Sequence, residues 1–114
     1  MRHEESKIQQ SFIKWIRHQY PYIICFAIPN GGNRSKIEAA IMKGEGVLAG
    51  VADLFIMKPN TKKHGLFIEV KTLKGKLTKS QEEFKKNSIS NRYEYVICRN
   101  LYEFINTVDN YLSQ

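Results

Sequence analysis

Two short apolar runs, residues 52–57 and 65–71, each carry a carboxylate where a strand covered on both faces should hold no charge. The first reads Ala-Asp-Leu-Phe-Ile-Met and contains Asp53; the second reads Gly-Leu-Phe-Ile-Glu-Val-Lys and contains Glu69 and Lys71. Runs this continuously apolar are the pattern of strands buried on both sides. A lone carboxylate in such a place is costly, so each acid needs a partner or a cation. Strand residues two apart share a face, which puts Glu69 and Lys71 together. The connector from Lys58 to His64 is rich in turn residues and short enough for an antiparallel hairpin. Folding it brings Asp53 opposite the Glu69–Lys71 stretch, within about one or two register steps. Two acids and a lysine then meet at one end of a hairpin. That is the donor set of a divalent-metal site, and a strand-end salt bridge is the competing reading.

Composition narrows the class. A chain of 114 residues with 42% hydrophobic and 11% aromatic content is long enough to form one domain with a real core. Its net charge of +7 favours contact with nucleic acid, through phosphate neutralisation and counterion release. Cys25 and Cys98 lie in apolar, strand-like segments and read as buried free thiols. His3, His18 and His64 are scattered and flank no cysteine pair, so no zinc spacing is present. The first residues form no signal peptide, and the longest apolar run, 22–29, is too short to span a bilayer. The expectation is a soluble, intracellular, cytoplasmic protein without a membrane or small-molecule cofactor.

The spacing of apolar residues predicts the order α-β-α-β-β-α-β-α, a small mixed α/β sheet between helical layers. Ile8, Phe12, Ile16 and Tyr20 recur every four residues and predict a helix over 4–20, stopped by Pro21. Strands are expected at 22–28 and 93–98 as well as in the two charged runs. Ser35 with Glu38, and Thr78 with Gln81, have the form of capping boxes that open helices ending before Gly44 and near Ser88. Gly44, Gly46 and Gly50 make a permissive loop into the Asp53 strand. Leu101, Phe104, Ile105, Val108 and Leu112 line one face of a last helix over 100–111.

Hard oxygen ligands on adjacent strands suit Mg²⁺ or Mn²⁺, which retain water positions that hydrolysis can use. Lys71 can hold an attacking water and a phosphate as a point charge. Glu5 lies four residues before Gln9 in the first helix and could add a third acid, although acids are also favoured there by the helix dipole. Gln81 suits both a capping role and contact with a phosphate. Six lysines between residues 71 and 86 face only Glu82 and Glu83, which makes a basic surface beside the proposed site.

Taken together, Glu5-x-x-x-Gln9, Pro29-Asn30-Gly31-Gly32, Gly46-x-x-x-Gly50-Val51-x-Asp53-Leu54, Gly65-Leu66-Phe67-Ile68-Glu69-Val70-Lys71 and Gly75-Lys76-Leu77-x-x-x-Gln81 resemble the VRR-NUC domain. This is the virus-type replication-repair nuclease branch of the PD-(D/E)XK superfamily, and the likeness covers residues 4–98. The resemblance implies a restriction-endonuclease-like core and a metal-dependent DNA endonuclease. Its metal ligands would be Glu5, Asp53, Glu69 and the Val70 carbonyl. Lys71 matches the family's catalytic lysine and Gln81 its active-site glutamine, with Asp53 and Glu69 completing the catalytic set. Glu4 competes with Glu5, but the four-residue spacing to Gln9 favours Glu5. Ala52 stands where the family usually has proline, which removes rigidity but no ligand.

Asn30, Arg34, Lys74, Lys76 and Lys79 are the residues expected to touch DNA. Stand-alone members of this size resemble Holliday-junction resolvases of phages and mobile elements, homodimers that cut symmetric junctions and leave 5′-phosphate and 3′-hydroxyl ends. Two other readings stand beside this one. One is a nucleic-acid-binding module on the same fold; the second is a partner-dependent nuclease subunit of a restriction or repair system.

Overall fold

Hydrogen bonds of a mixed sheet hold the charged hairpin at the centre of the molecule. The computed structural model describes residues 2–29 and 34–114. In chain order the elements are α1 (Arg2–Gln19), β1 (Cys25–Ala27), α2 (Lys36–Gly44), β2 (Leu54–Ile56), β3 (Leu66–Val70), α3 (Lys79–Ser90), β4 (Glu94–Cys98) and α4 (Leu101–Leu112). The sheet order is β1-β2-β3-β4, antiparallel across the first two junctions and parallel between β3 and β4. The parallel step follows from α3, which carries the chain back to the start of β4.

Strand periodicity sorts the side chains. Leu54, Ile56, Leu66, Ile68 and Val70 face α1 and α4, in one core with Phe12, Ile16, Phe104 and Val108. The Phe12 and Phe104 rings stack there, with centroids 4.3 Å apart and planes 5° from parallel. Each such fully buried side chain contributes about 1.5–3 kcal/mol. Phe55, Phe67 and Tyr95 point to the other face, where Phe84 of α3 meets Phe67 edge-on at 5.0 Å.

The strands are shorter than the apolar runs that suggested them. β1 keeps three of the seven residues expected; its ladder pairs Cys25–Ala27 with Leu54–Ile56, and single bonds from the Met57 N–H to the Ile24 carbonyl and from the Ile28 N–H to the Asp53 carbonyl close its two ends. Beyond β1, Tyr22 and Ile24 are exposed. An apolar run reports burial tendency, while the ladder is set by the neighbour.

Local chemistry fixes the helix starts. Ser35 and Thr78 form the two expected capping boxes, with Glu38 and Gln81 returning the bond. The Asn100 side chain accepts from the Glu103 N–H to cap α4. Gly50 has φ +89°, and a Cβ there would lie 2.4 Å from the Ser80 carbonyl oxygen. The loop entering β2 is therefore pressed onto the first turn of α3. α2 differs from the other helices in that none of its residues is buried. Cys25 and Cys98 are buried and free, and burial pushes both thiols up to about 11. Among the described residues no helix is long and apolar enough to cross a membrane.

Candidate active site

The site grows from the point where β2 and β3 part. Leu54 pairs with Ile68, so one further step places Asp53 opposite Glu69, as the hairpin argument expects. There the regular ladder stops and the Asp53 side chain replaces it. The Asp53 carboxylate accepts the Val70 N–H at 2.7 Å, its own N–H donates to the Ile68 carbonyl, and its carbonyl accepts from Ile28. Bonds on three sides fix the acid in place before any ligand arrives.

Glu69 is 2% exposed and Lys71 is 8% exposed. The Gln81 amide donates to Glu69 Oε2 at 3.2 Å, while the Tyr95 hydroxyl donates to Oε1 at 3.3 Å. Lys71 Nζ lies 3.9 Å from Glu69 Oε2. Gln81 takes the capping role expected of it, its carbonyl oxygen accepting the Thr78 N–H at 2.9 Å, while its amide reaches Glu69, a contact the sequence did not suggest. Burial, then the Asp53 charge and a hydrogen bond with Asp53, push the Glu69 carboxyl up to about 8, against the pull of Lys71 and Tyr95. The same crowded position suits a cation, so the donor set fits a hard divalent metal.

On the far side of Asp53 a cleft of about 530 Å³ opens against α1, lined by Asp53, Val70, Glu5 and Gln9 among others. Glu5 is half-buried there, whereas Glu4 is exposed and does not line the cleft. Among the described residues, no three Asp, Glu, His or Cys side chains gather tightly enough to form a ready metal cluster. The structure thus brings Asp53, Glu69, Lys71 and Gln81 together, and places Glu5 with Asp53 and Val70 on a neighbouring wall.

Lys74, Lys76 and Lys79 are exposed on the segment that follows Lys71 and on the start of α3. Arg34 is exposed before α2, and Asn30 lies outside the described residues. Two residues escaped the sequence analysis. One is Tyr95, whose reach to Glu69 depends on the parallel register that sets Phe67 beside it. The other is Arg99, whose Nη1 donates to the carbonyls of Thr72 and Gly75 at 2.7 Å and of Leu73 at 3.3 Å, fixing the loop that carries Lys74. No periodicity marks either residue, since both act across the β3–β4 junction.

The comparisons with known proteins bear on the family and the fold. No curated protein matches the chain. A solved structure described as a "VRR_NUC domain protein" is similar to it with a TM-score of 0.82 and 26% identity, covering 96% of this chain and 88% of that one. The sequence model of the VRR-NUC domain matches residues 3–100, a span that contains every side chain of the site described above. The chain belongs to the VRR-NUC domain family, a family of nuclease domains.

Proposed function

We propose that this protein is a divalent-metal-dependent DNA endonuclease that hydrolyses phosphodiester bonds in branched DNA. One observation carries the reading: Asp53 and Glu69 crowd each other at the end of a buried hairpin, with Lys71 beside them. Asp53, Glu69 and the Val70 carbonyl would hold Mg²⁺ or Mn²⁺, with Glu5 approaching from the α1 wall. The ion would supply charge neutralisation at the phosphoryl oxygens and acidify the attacking water.

The chain's own residues do the rest. Lys71 places a fixed positive charge beside Glu69, where it holds the scissile phosphate and orients the water that attacks in line. Gln81 keeps Glu69 in position through its amide and offers the same group to the phosphate. Tyr95 holds the second Glu69 oxygen so that the carboxylate cannot rotate away. Lys74, Lys76 and Lys79 draw the DNA backbone toward this point, and Arg34 and Asn30 are further candidates for contact with it. Hydrolysis leaves 5′-phosphate and 3′-hydroxyl ends.

The substrate in this reading is a four-way junction cut by a homodimer, since two related sites suit a symmetric branch. An apolar face for the second copy is offered by α2, which leaves Ile37 74% and Ile41 55% exposed. The test is cleavage of labelled duplex, flap, splayed-arm and four-way-junction DNAs with and without Mg²⁺ or Mn²⁺. Paired, metal-dependent nicks across the junction are expected. Binding without cleavage of any of the four, at any metal concentration, would leave a nucleic-acid-binding module instead.

A further inference from the structure

The cleft beside Asp53 continues well past the carboxylates. It runs along one flank of α1, where Gln10, Lys14 and Arg17 follow one another at spacings of four and three residues. That spacing keeps them on one side of the helix, next to the stripe of Phe12 and Ile16 that enters the core. Acids line the cleft at one end, through Asp53 and Glu5, and cations line it at the other.

The two cations have no carboxylate partner among the described residues, although Arg17 lies close enough to the buried Cys25 thiol to favour its anion. Among the described residues neither Lys14 nor Arg17 has an ion pair, and both are exposed. They also lie on the opposite face of the sheet from α3, because α1 packs on the Leu54 and Ile68 side while α3 packs on the Phe67 side. At about 1.5 Å per residue, Lys14 and Arg17 stand roughly 13 and 18 Å along the helix from Glu5. Along a duplex strand, with about 3.4 Å of axis per phosphate, that is roughly four to five phosphates. Cations at such a distance, in one continuous cleft with the catalytic acids, match a sugar–phosphate backbone better than a small anion.

We propose that Lys14 and Arg17, helped by Gln10, form a phosphate-binding track on α1 for the strand that leads away from the scissile bond. Nucleic acid is then gripped on both sides of the sheet end, by Lys74, Lys76 and Lys79 on one side and by α1 on the other. The inference rests on the nuclease reading of the Asp53–Glu69 site. It assigns the track to nucleic-acid phosphates without regard to base sequence.

The test compares Lys14→Gln/Arg17→Gln with Lys58→Gln/Lys62→Gln, a pair of exposed lysines removed at the opposite end of the β2–β3 hairpin. Binding of labelled four-way-junction DNA is measured in chelator across a salt series, and cleavage is measured with Mn²⁺. The α1 pair should lower the slope of log affinity against log salt by about 2, since each lost phosphate contact removes about 0.9. It should raise KM by about tenfold and leave kcat at saturation within about twofold. The lysine pair at the far end should change the slope by less than half as much. Lys14→Arg/Arg17→Lys, which keeps both charges, should restore wild-type values and so exclude a folding defect.

An unchanged slope in the α1 variant would overturn the track, as would an equal loss in the distant pair or failure of the charge-keeping variant to restore binding. Should the wild-type chain cut no DNA, the nuclease reading fails on that result alone, while the salt slope still decides whether α1 binds phosphate.

Discussion

Asp53 has two unlike sides. Toward Glu69 the site is closed: the carboxylate is 2% exposed, and Gln81, Tyr95 and Lys71 all approach it. Toward Glu5 it is open, a cleft walled by a helix that turns polar and cationic side chains to solvent. The closed side is preorganised by the fold, and in the proposed reaction its charges lie where hydrolysis needs them. The open side has a cleft of about 530 Å³, the room that the proposal assigns to a cation and a nucleic-acid strand. Substitutions of the two crowded acids should therefore disturb metal binding and chemistry together, and those on the open side should disturb occupancy alone.

The largest effects are expected at the shared point. Asp53→Asn and Glu69→Gln should each lower metal-dependent cleavage by at least about a hundredfold to a thousandfold. Above pH 8, where Glu69 has lost its proton, the melting temperature of the metal-free protein should hold or rise, because one of two repelling carboxylates is gone. Stopped cleavage with a collapsed melting temperature would point to the salt-bridge reading instead.

Next in size is a backbone change behind the closed side. Gly50→Ala adds a methyl where only 2.4 Å separates the new Cβ from the Ser80 carbonyl, at φ +89°. The loss of stability should be about 1–3 kcal/mol, read by denaturant unfolding. Cleavage should fall as well, because α3 carries Gln81 to Glu69.

On the open side, Glu5→Gln should raise the Mn²⁺ concentration needed for half-maximal cleavage by about tenfold, roughly 1.4 kcal/mol. Glu4→Gln should change it little, since Glu4 is exposed and outside the cleft. Equal effects from the two would remove Glu5 from the site.

The smallest effect separates the sides by pH. In the folded, metal-free protein Glu69 titrates at about 8, against an ordinary value of 4.5. Between those values the folded state holds a proton that the unfolded state has lost. This contribution to stability is therefore full below about pH 4.5 and is lost as pH rises through about 8. Glu69→Gln should flatten that part of the stability profile. Metal binding below pH 8 should release a proton and tighten as pH rises.

Much of the closed side was legible in the sequence because its rules are local. Period two and a short turn set Asp53 against Glu69, and a capping-box spacing put Gln81 at the start of α3. Tyr95 and Arg99 were not legible, because each acts across a parallel junction whose register depends on how α3 packs. The Glu5 wall was legible only as an amphipathic stripe, which gives a buried face but no direction across the sheet. The shortened β1 and the unburied α2 escaped for a related reason: apolar content records a tendency to be covered, and neighbours decide whether it is.

Mn²⁺ binding to the metal-free protein at pH 8, followed by titration calorimetry without DNA, tests the central claim most directly. The account predicts binding to the wild-type chain and, in both Asp53→Asn and Glu69→Gln, a loss of affinity larger than the roughly tenfold expected for Glu5→Gln. Wild-type affinity retained in both Asp53→Asn and Glu69→Gln would contradict it, since the crowded carboxylates at the end of the hairpin would then not be the metal site.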